Sequence, residues 1–126
     1  MIVLLAALLV VPAATWLYAR RFMPEYLATI TGIALGLVIS PVSMGLYATY
    51  FLGPLGIVTG MIGLVSAVFH GTPGYYIART FGLVPPGVVE GIGHFYVGAI
   101  NALVWAVIYG ALGRVIDHAR KPRVAL

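Results

Sequence analysis

The stretch that decides the fold is YLATITGIALGLVISPVSMGLYATYFLGPLGIVTGMIGLVSAVF, residues 26–69. It contains no Asp, Glu, Lys, Arg or His. About a quarter of an average soluble sequence is charged, so a run of this length without charge belongs in hydrocarbon. A membrane helix needs about 20 apolar residues. Gly53-Pro54 is a turn signal, so the stretch predicts two helical spans, 27–52 and 55–69. The second is short. Pro41 lies inside the first, where a membrane helix tolerates proline at the cost of a kink.

Working outward, residues 2–18 form another apolar run, closed by Arg20-Arg21. The arginines follow the run instead of preceding it, so it reads as a retained span and not as a signal peptide. Pro24 and Glu25 look like a helix start. On the other side, His70-Gly71-Thr72-Pro73-Gly74 breaks the apolar pattern. The stretch 71–93 is mixed, with Tyr75, Tyr76, Arg79, Phe81, Pro85, Pro86 and Glu90, and predicts an interfacial or re-entrant segment. Residues 94–113 form the last span and 114–126 a basic tail. The fold class is therefore an all-α integral membrane protein in one domain, residues 1–126, with four transmembrane helices in a bundle. Three helices plus a re-entrant segment is the alternative.

Composition agrees. Of 126 residues, 62% are hydrophobic and 8% charged, and the mean hydropathy is +1.07, which excludes a soluble domain and a disordered tail. The net charge of +4 gathers at Arg20, Arg21 and from Arg114 to Arg123. Positive charge flanking apolar runs is headgroup and topology charge, and no basic face with interleaved aromatics points to nucleic acid. There is no cysteine, hence no disulfide, thiolate nucleophile or thiolate ligand. With four spans the two sides differ by one positive charge, so the positive-inside rule barely orients the chain. The arrangement adopted has both ends cytoplasmic. Arg20-Arg21 and the basic tail taken separately conflict for four spans and agree for three.

The strongest pattern is small residues at helical spacing. Thr29, Gly32, Gly36, Ser40, Ser43 and Tyr47 line one run; Gly53, Gly56, Gly60, Gly63 and Ala67 line the next. Hydrocarbon gives helices no hydrophobic reason to associate, so close backbone approach through Gly32, Gly36, Ser40, Gly56, Gly60 and Gly63 is the expected glue. Joined by a tight turn, the two runs are expected to pack as a hairpin through these faces. The plainer alternative is that glycine is simply common in membrane helices.

Polar candidates are few. His94, Gly98, Asn101 and Trp105 share one helical face, and Asn101 in hydrocarbon needs a partner: an interhelical hydrogen bond is preferred to a pore or ligand contact. His70 and His94 border the same segment, and two imidazoles there can hold a haem or contribute to a metal or quinone site. Interfacial histidines bonded to backbone or headgroups are the preferred alternative. Arg79 and Glu90 are the only charges between Glu25 and Arg114. Glu90 with His94 can perform acid–base chemistry, but an Arg79–Glu90 ion pair pinning the segment is preferred. Asp117 is spaced to pair with Arg120 or Lys121. No metal site and no cofactor is expected from any of these.

With no nucleophile signature and no charge inside a span, a non-catalytic accessory or structural subunit of a larger membrane complex is the leading expectation. A protomer of a small homo-oligomeric channel or carrier is the second. In span count and charge balance the chain resembles, in general form, the small multidrug-resistance transporters and the fluoride channels, although its first run lacks the embedded glutamate of the former. A haem, quinone or lipid-interface enzyme subunit is the third. Lipid and either foreign subunits or further copies of the chain are the expected partners, and a bacterial inner membrane is the expected location.

Overall fold

The computed structural model describes residues 2–84 and 95–120. Within them the chain is helical, with four α-helices and no strand: α1 (Ile2–Phe22), α2 (Leu27–Tyr47), α3 (Pro54–Thr80) and α4 (Phe95–Ala119). A 3₁₀ turn, Pro24–Tyr26, leads into α2, and another, Ala48–Phe51, extends it. Three helical stretches, Pro24–Phe51, Pro54–Thr80 and Tyr96–Ala119, are long and apolar enough to cross a membrane. Gly53 makes the turn into α3 at φ +86°, a conformation open to glycine, and Pro54 opens the helix where its missing N–H costs nothing.

Three boundaries differ from those the sequence predicts. α1 runs past residue 18, through Arg20-Arg21, to Phe22. α3 does not stop at Phe69 but runs on through the Gly71–Gly74 break to Thr80. Its 27 residues give a length of about 40 Å at 1.5 Å per residue, so the run is not short. The part of the 71–93 segment within the described residues is thus largely helix. α4 likewise continues past residue 113, carrying Arg114 and Asp117 as helical residues.

α2 is the centre, touching each of the other three helices, while α1 packs chiefly against α2. Residue pairs fix the directions. A Cβ at Gly113, Gly32 or Gly36 would run into backbone of Ala28, Tyr109 or Trp105–Ala106 respectively, so α2 and α4 are antiparallel and almost in backbone contact. Gly32 and Gly36 therefore face α4, not α3 as the hairpin expectation had it. The end of α2 instead meets α3: Gly56 lies on Thr49, Gly60 on Tyr50 and Gly63 on Leu46–Tyr47, again antiparallel. Ala78 packs on Val97 with Val84, Tyr75 and Ile100 around them, which makes α3 and α4 antiparallel as well.

Three straight helices cannot all be antiparallel to one another, so the crossings are oblique. Pro41 separates the part of α2 that meets α4 from the part that meets α3, and prolines are where helix axes bend.

The α2–α4 pairing gathers charge at one end. Asp117 accepts hydrogen bonds from the N–H groups of Ala28 (2.9 Å) and Thr29 (2.8 Å) and from the Thr29 hydroxyl (2.7 Å). The guanidinium of Arg114 lies 4.7 Å from the Tyr26 ring centre, and that of Arg20 lies 5.1 Å from Trp16, which shares a groove with Arg120. The end of α1, the start of α2 and the end of α4 thus meet, bringing Arg20, Arg21 and Glu25 to the level of Arg114, Asp117 and Arg120.

Candidate functional site

The polar residues of the bundle converge where α3 is weakest. Pro73 has no N–H, so the carbonyl one turn earlier loses its helical donor. Two side chains of α4 brace this point. Asn101, 1% exposed, accepts from the Gly74 N–H through Oδ1 (2.6 Å) and donates through Nδ2 to the Gly71 carbonyl (2.8 Å). One turn on, Trp105 donates its indole N–H to the His70 carbonyl (2.9 Å). A Cβ at Gly74 would overlap Asn101, with Cγ only 2.5 Å away, so glycine is what lets the amide reach the backbone. Asn101 is an interhelical clamp here, bonded on both its donor and its acceptor side.

His70 sits beside the clamp, stacked at 4.6 Å between ring centres against Trp105. It lies about 24 Å along α3 from Pro54 at 1.5 Å per residue, well inside the helix. His70 thus does not close the third helix, as the sequence reading had it, but lies within it, bonded to backbone as expected. Its Nδ1 is 2.9 Å from the Ser66 carbonyl oxygen, which only accepts, so Nδ1 carries the hydrogen. In the neutral imidazole Nε2 is then an acceptor, taking the Tyr109 hydroxyl hydrogen at 2.8 Å. Ser66 and Ser43 share a hydrogen bond at 2.6 Å, and Ser43 donates to the Ile39 carbonyl at 2.6 Å. Ser66 Oγ is in turn 3.3 Å from Nδ1. The donors point one way, from Tyr109 through His70 and Ser66 to Ser43 and the α2 backbone, so one chain of hydrogen bonds ties α4, α3 and α2 together.

Every fully buried side-chain nitrogen and oxygen among the described residues has a partner. That is the condition for polar groups to exist in an apolar bundle, since an unpaired one costs about 1–3 kcal/mol. Both His70 nitrogens face protein groups, so an axial bond to haem iron at this residue would require breaking one of those contacts. Glu90 and His94 lie outside the described residues, and with them the acid–base and bis-histidine pairings and the Arg79–Glu90 ion pair. Arg79 stands exposed in the last turn of α3. No group of three or more His, Asp or Glu side chains close enough for a metal occurs among the described residues.

Ser66 and Tyr109 were not singled out by spacing. Tyr109 follows Asn101 and Trp105 at four-residue steps, so extending that face one more turn finds it. The role of Asp117 had a fainter signal. α2 begins at Leu27 after Tyr26, with no side chain of its own on its first N–H groups. Asp117 supplies that cap from α4, on the second and third residues of α2 where a local Ser or Asp would act.

Comparison with protein-family models, curated proteins and solved structures finds no match for this chain.

Proposed function

We propose that this chain is a small multi-pass membrane protein, non-catalytic, and an accessory or structural subunit of a larger membrane assembly. The observation that carries the reading is the closure of its polar groups. Ser43, Ser66, His70, Asn101, Trp105 and Tyr109 spend their hydrogen bonds on one another and on the α2 and α3 backbones. Such a network holds α3 in place across Pro73 and presents nothing to a substrate. The outside is correspondingly plain: Val3, Leu9, Leu17 and Phe22 of α1 are 79%, 70%, 60% and 61% exposed. A helix packed chiefly on one neighbour, with this much apolar surface, is suited to lipid or a partner subunit.

The antiparallel α2–α4 pair supports one membrane arrangement. If both cross, the two ends of α3 lie on the same side, and α3, though long enough to span, does not cross. On this reading the chain crosses three times, through α2, α4 and α1, the last about 32 Å long at 1.5 Å per residue. Arg20, Arg21, Arg114 and Arg120 share a side, the cytoplasmic one by the positive-inside rule. A bacterial inner membrane remains the proposed location. Extraction of a tagged copy in mild detergent tests the function. Co-purifying subunits in fixed ratio support it, and a pure homo-oligomer contradicts it.

One observation favours a second reading, a homo-oligomeric carrier. A titratable His70 inside the bundle, hydrogen-bonded to Tyr109, is the kind of group that proton-coupled pathways use. Here the oligomer is pure, and His70→Gln abolishes transport while leaving the oligomer intact.

A further inference from the structure

An apolar groove of about 410 Å³ runs along the outside of the α2–α4 pair. Ile33, Leu103, Val107, Gly110 and Ala111 line it, and Arg114 stands at one end. Glycine keeps its floor low: a Cβ at Gly110 would come within 2.7 Å of the Ile33 side chain. From Leu103 to Arg114 is eleven residues of helix, about 16 Å at 1.5 Å each. Half of a hydrocarbon core of about 30 Å is nearly the same length. Arg114 is held over the Tyr26 ring, at the charged end of the molecule. A slot one leaflet deep, apolar along its length and cationic at its mouth, has the form of a lipid with an anionic headgroup.

We propose that this groove is a binding site for an anionic phospholipid, one acyl chain lying between Ile33 and Val107 and the phosphate meeting Arg114. The inference rests on the membrane reading above. A second groove supplies the comparison. At Met61, Ile62, Val65 and Ser66 an apolar hollow of about 440 Å³ has no charged residue in its lining, so it takes acyl chains without regard to headgroup.

The test is native mass spectrometry of the full chain extracted from membranes, titrated with phosphatidylglycerol or phosphatidylcholine. Phosphatidylglycerol is expected to bind more tightly. Arg114→Gln is expected to weaken it about fivefold, the effect of one basic side chain at a lipid surface, and to leave phosphatidylcholine unchanged. Arg21→Gln, at the same end but outside the groove, is expected to change neither. Ala111→Trp, which fills the groove, is expected to remove the preferred site. Equal binding of the two lipids, or an equal loss in Arg21→Gln, overturns the proposal. So does glycerol phosphate displacing the lipid, which makes the site one for a free anion. So does a dimer that Ala111→Trp turns to monomer, which makes the groove a seat for a second copy. A chain recovered in the soluble fraction overturns the membrane reading itself, separately from these outcomes.

Discussion

Gly36 and Gly98 are both glycines in apolar helices, and their surroundings are opposite. A Cβ on Gly36 would fall into the backbone of Trp105 and Ala106; one on Gly98 would meet nothing within 4 Å. Gly36→Ala is expected to lower stability by about 1–3 kcal/mol, the usual cost of overpacking. Gly98→Ala is expected to be neutral or slightly stabilising, because alanine is the better helix former. Thermal unfolding of the two variants in the same detergent measures the difference. Tyr109→Phe removes the donor to His70 Nε2 and leaves an acceptor without its partner. A loss of about 1–3 kcal/mol follows, and His70→Phe combined with it should restore part of the loss, since both partners are then apolar. The small-residue spacing was legible in the sequence because helical periodicity alone displays it. The neighbour of each glycine was not, since periodicity says which residues share a face and nothing about which helix that face meets. His70 shows the converse difficulty. Two glycines, a threonine and a proline beside it read as a loop, and only Asn101 and Trp105, some 30 residues on, supply the bonds that let the helix pass through.

At the scale of elements, α2 depends on α4 at both its start and its middle. The first N–H groups of a helix lack intrahelical partners and carry partial positive charge. Asp117 satisfies two of them with a negative side chain that is itself 5% exposed. Asp117→Ala is expected to cost about 1–2 kcal/mol, as for loss of a capping residue. Asp117→Asn, keeping one acceptor oxygen, should fall between. Hydrogen exchange at Ala28 and Thr29 checks the mechanism directly: the amides should exchange faster in the alanine variant, while those near Gly60 do not change. An i, i+3 or i, i+4 pairing for Asp117 was all that local spacing offered, and Arg120 does act on it through its charge; the hydrogen-bond donors are 88 and 89 residues away in the chain and leave no local signal. The turn at Gly53-Pro54 was legible for the opposite reason. Its signal is local, and the positive φ of Gly53 and the proline at the first helical position are properties of adjacent residues.

For the whole molecule the decisive feature is the direction of α4 relative to α2. Apolar runs can be counted in a sequence, but whether two of them point the same way depends on tertiary pairing. Charge placement records the answer in outline: Arg20-Arg21 and the basic tail agree on orientation if the chain crosses three times. Antiparallel packing of Ala28–Gly36 with Trp105–Asp117, and the groove that Trp16 shares with Arg120, bring Arg20 to the same end as Arg114 and Arg120. The proposed topology then puts the Gly53 turn and the Gly82 turn on one side, the side opposite Arg21 and the tail. Four crossings put Gly53 and Gly82 on opposite sides. The chain has no native cysteine, so single cysteines can be introduced at Leu52, Leu83 and Phe22 and reacted with a membrane-impermeant maleimide in intact cells. Labelling of Leu52→Cys and Leu83→Cys together from outside, with Phe22→Cys protected until the membrane is opened, is the expected result. Labelling of Leu83→Cys on the side of Phe22→Cys, with Leu52→Cys on the other, would contradict the three-crossing arrangement.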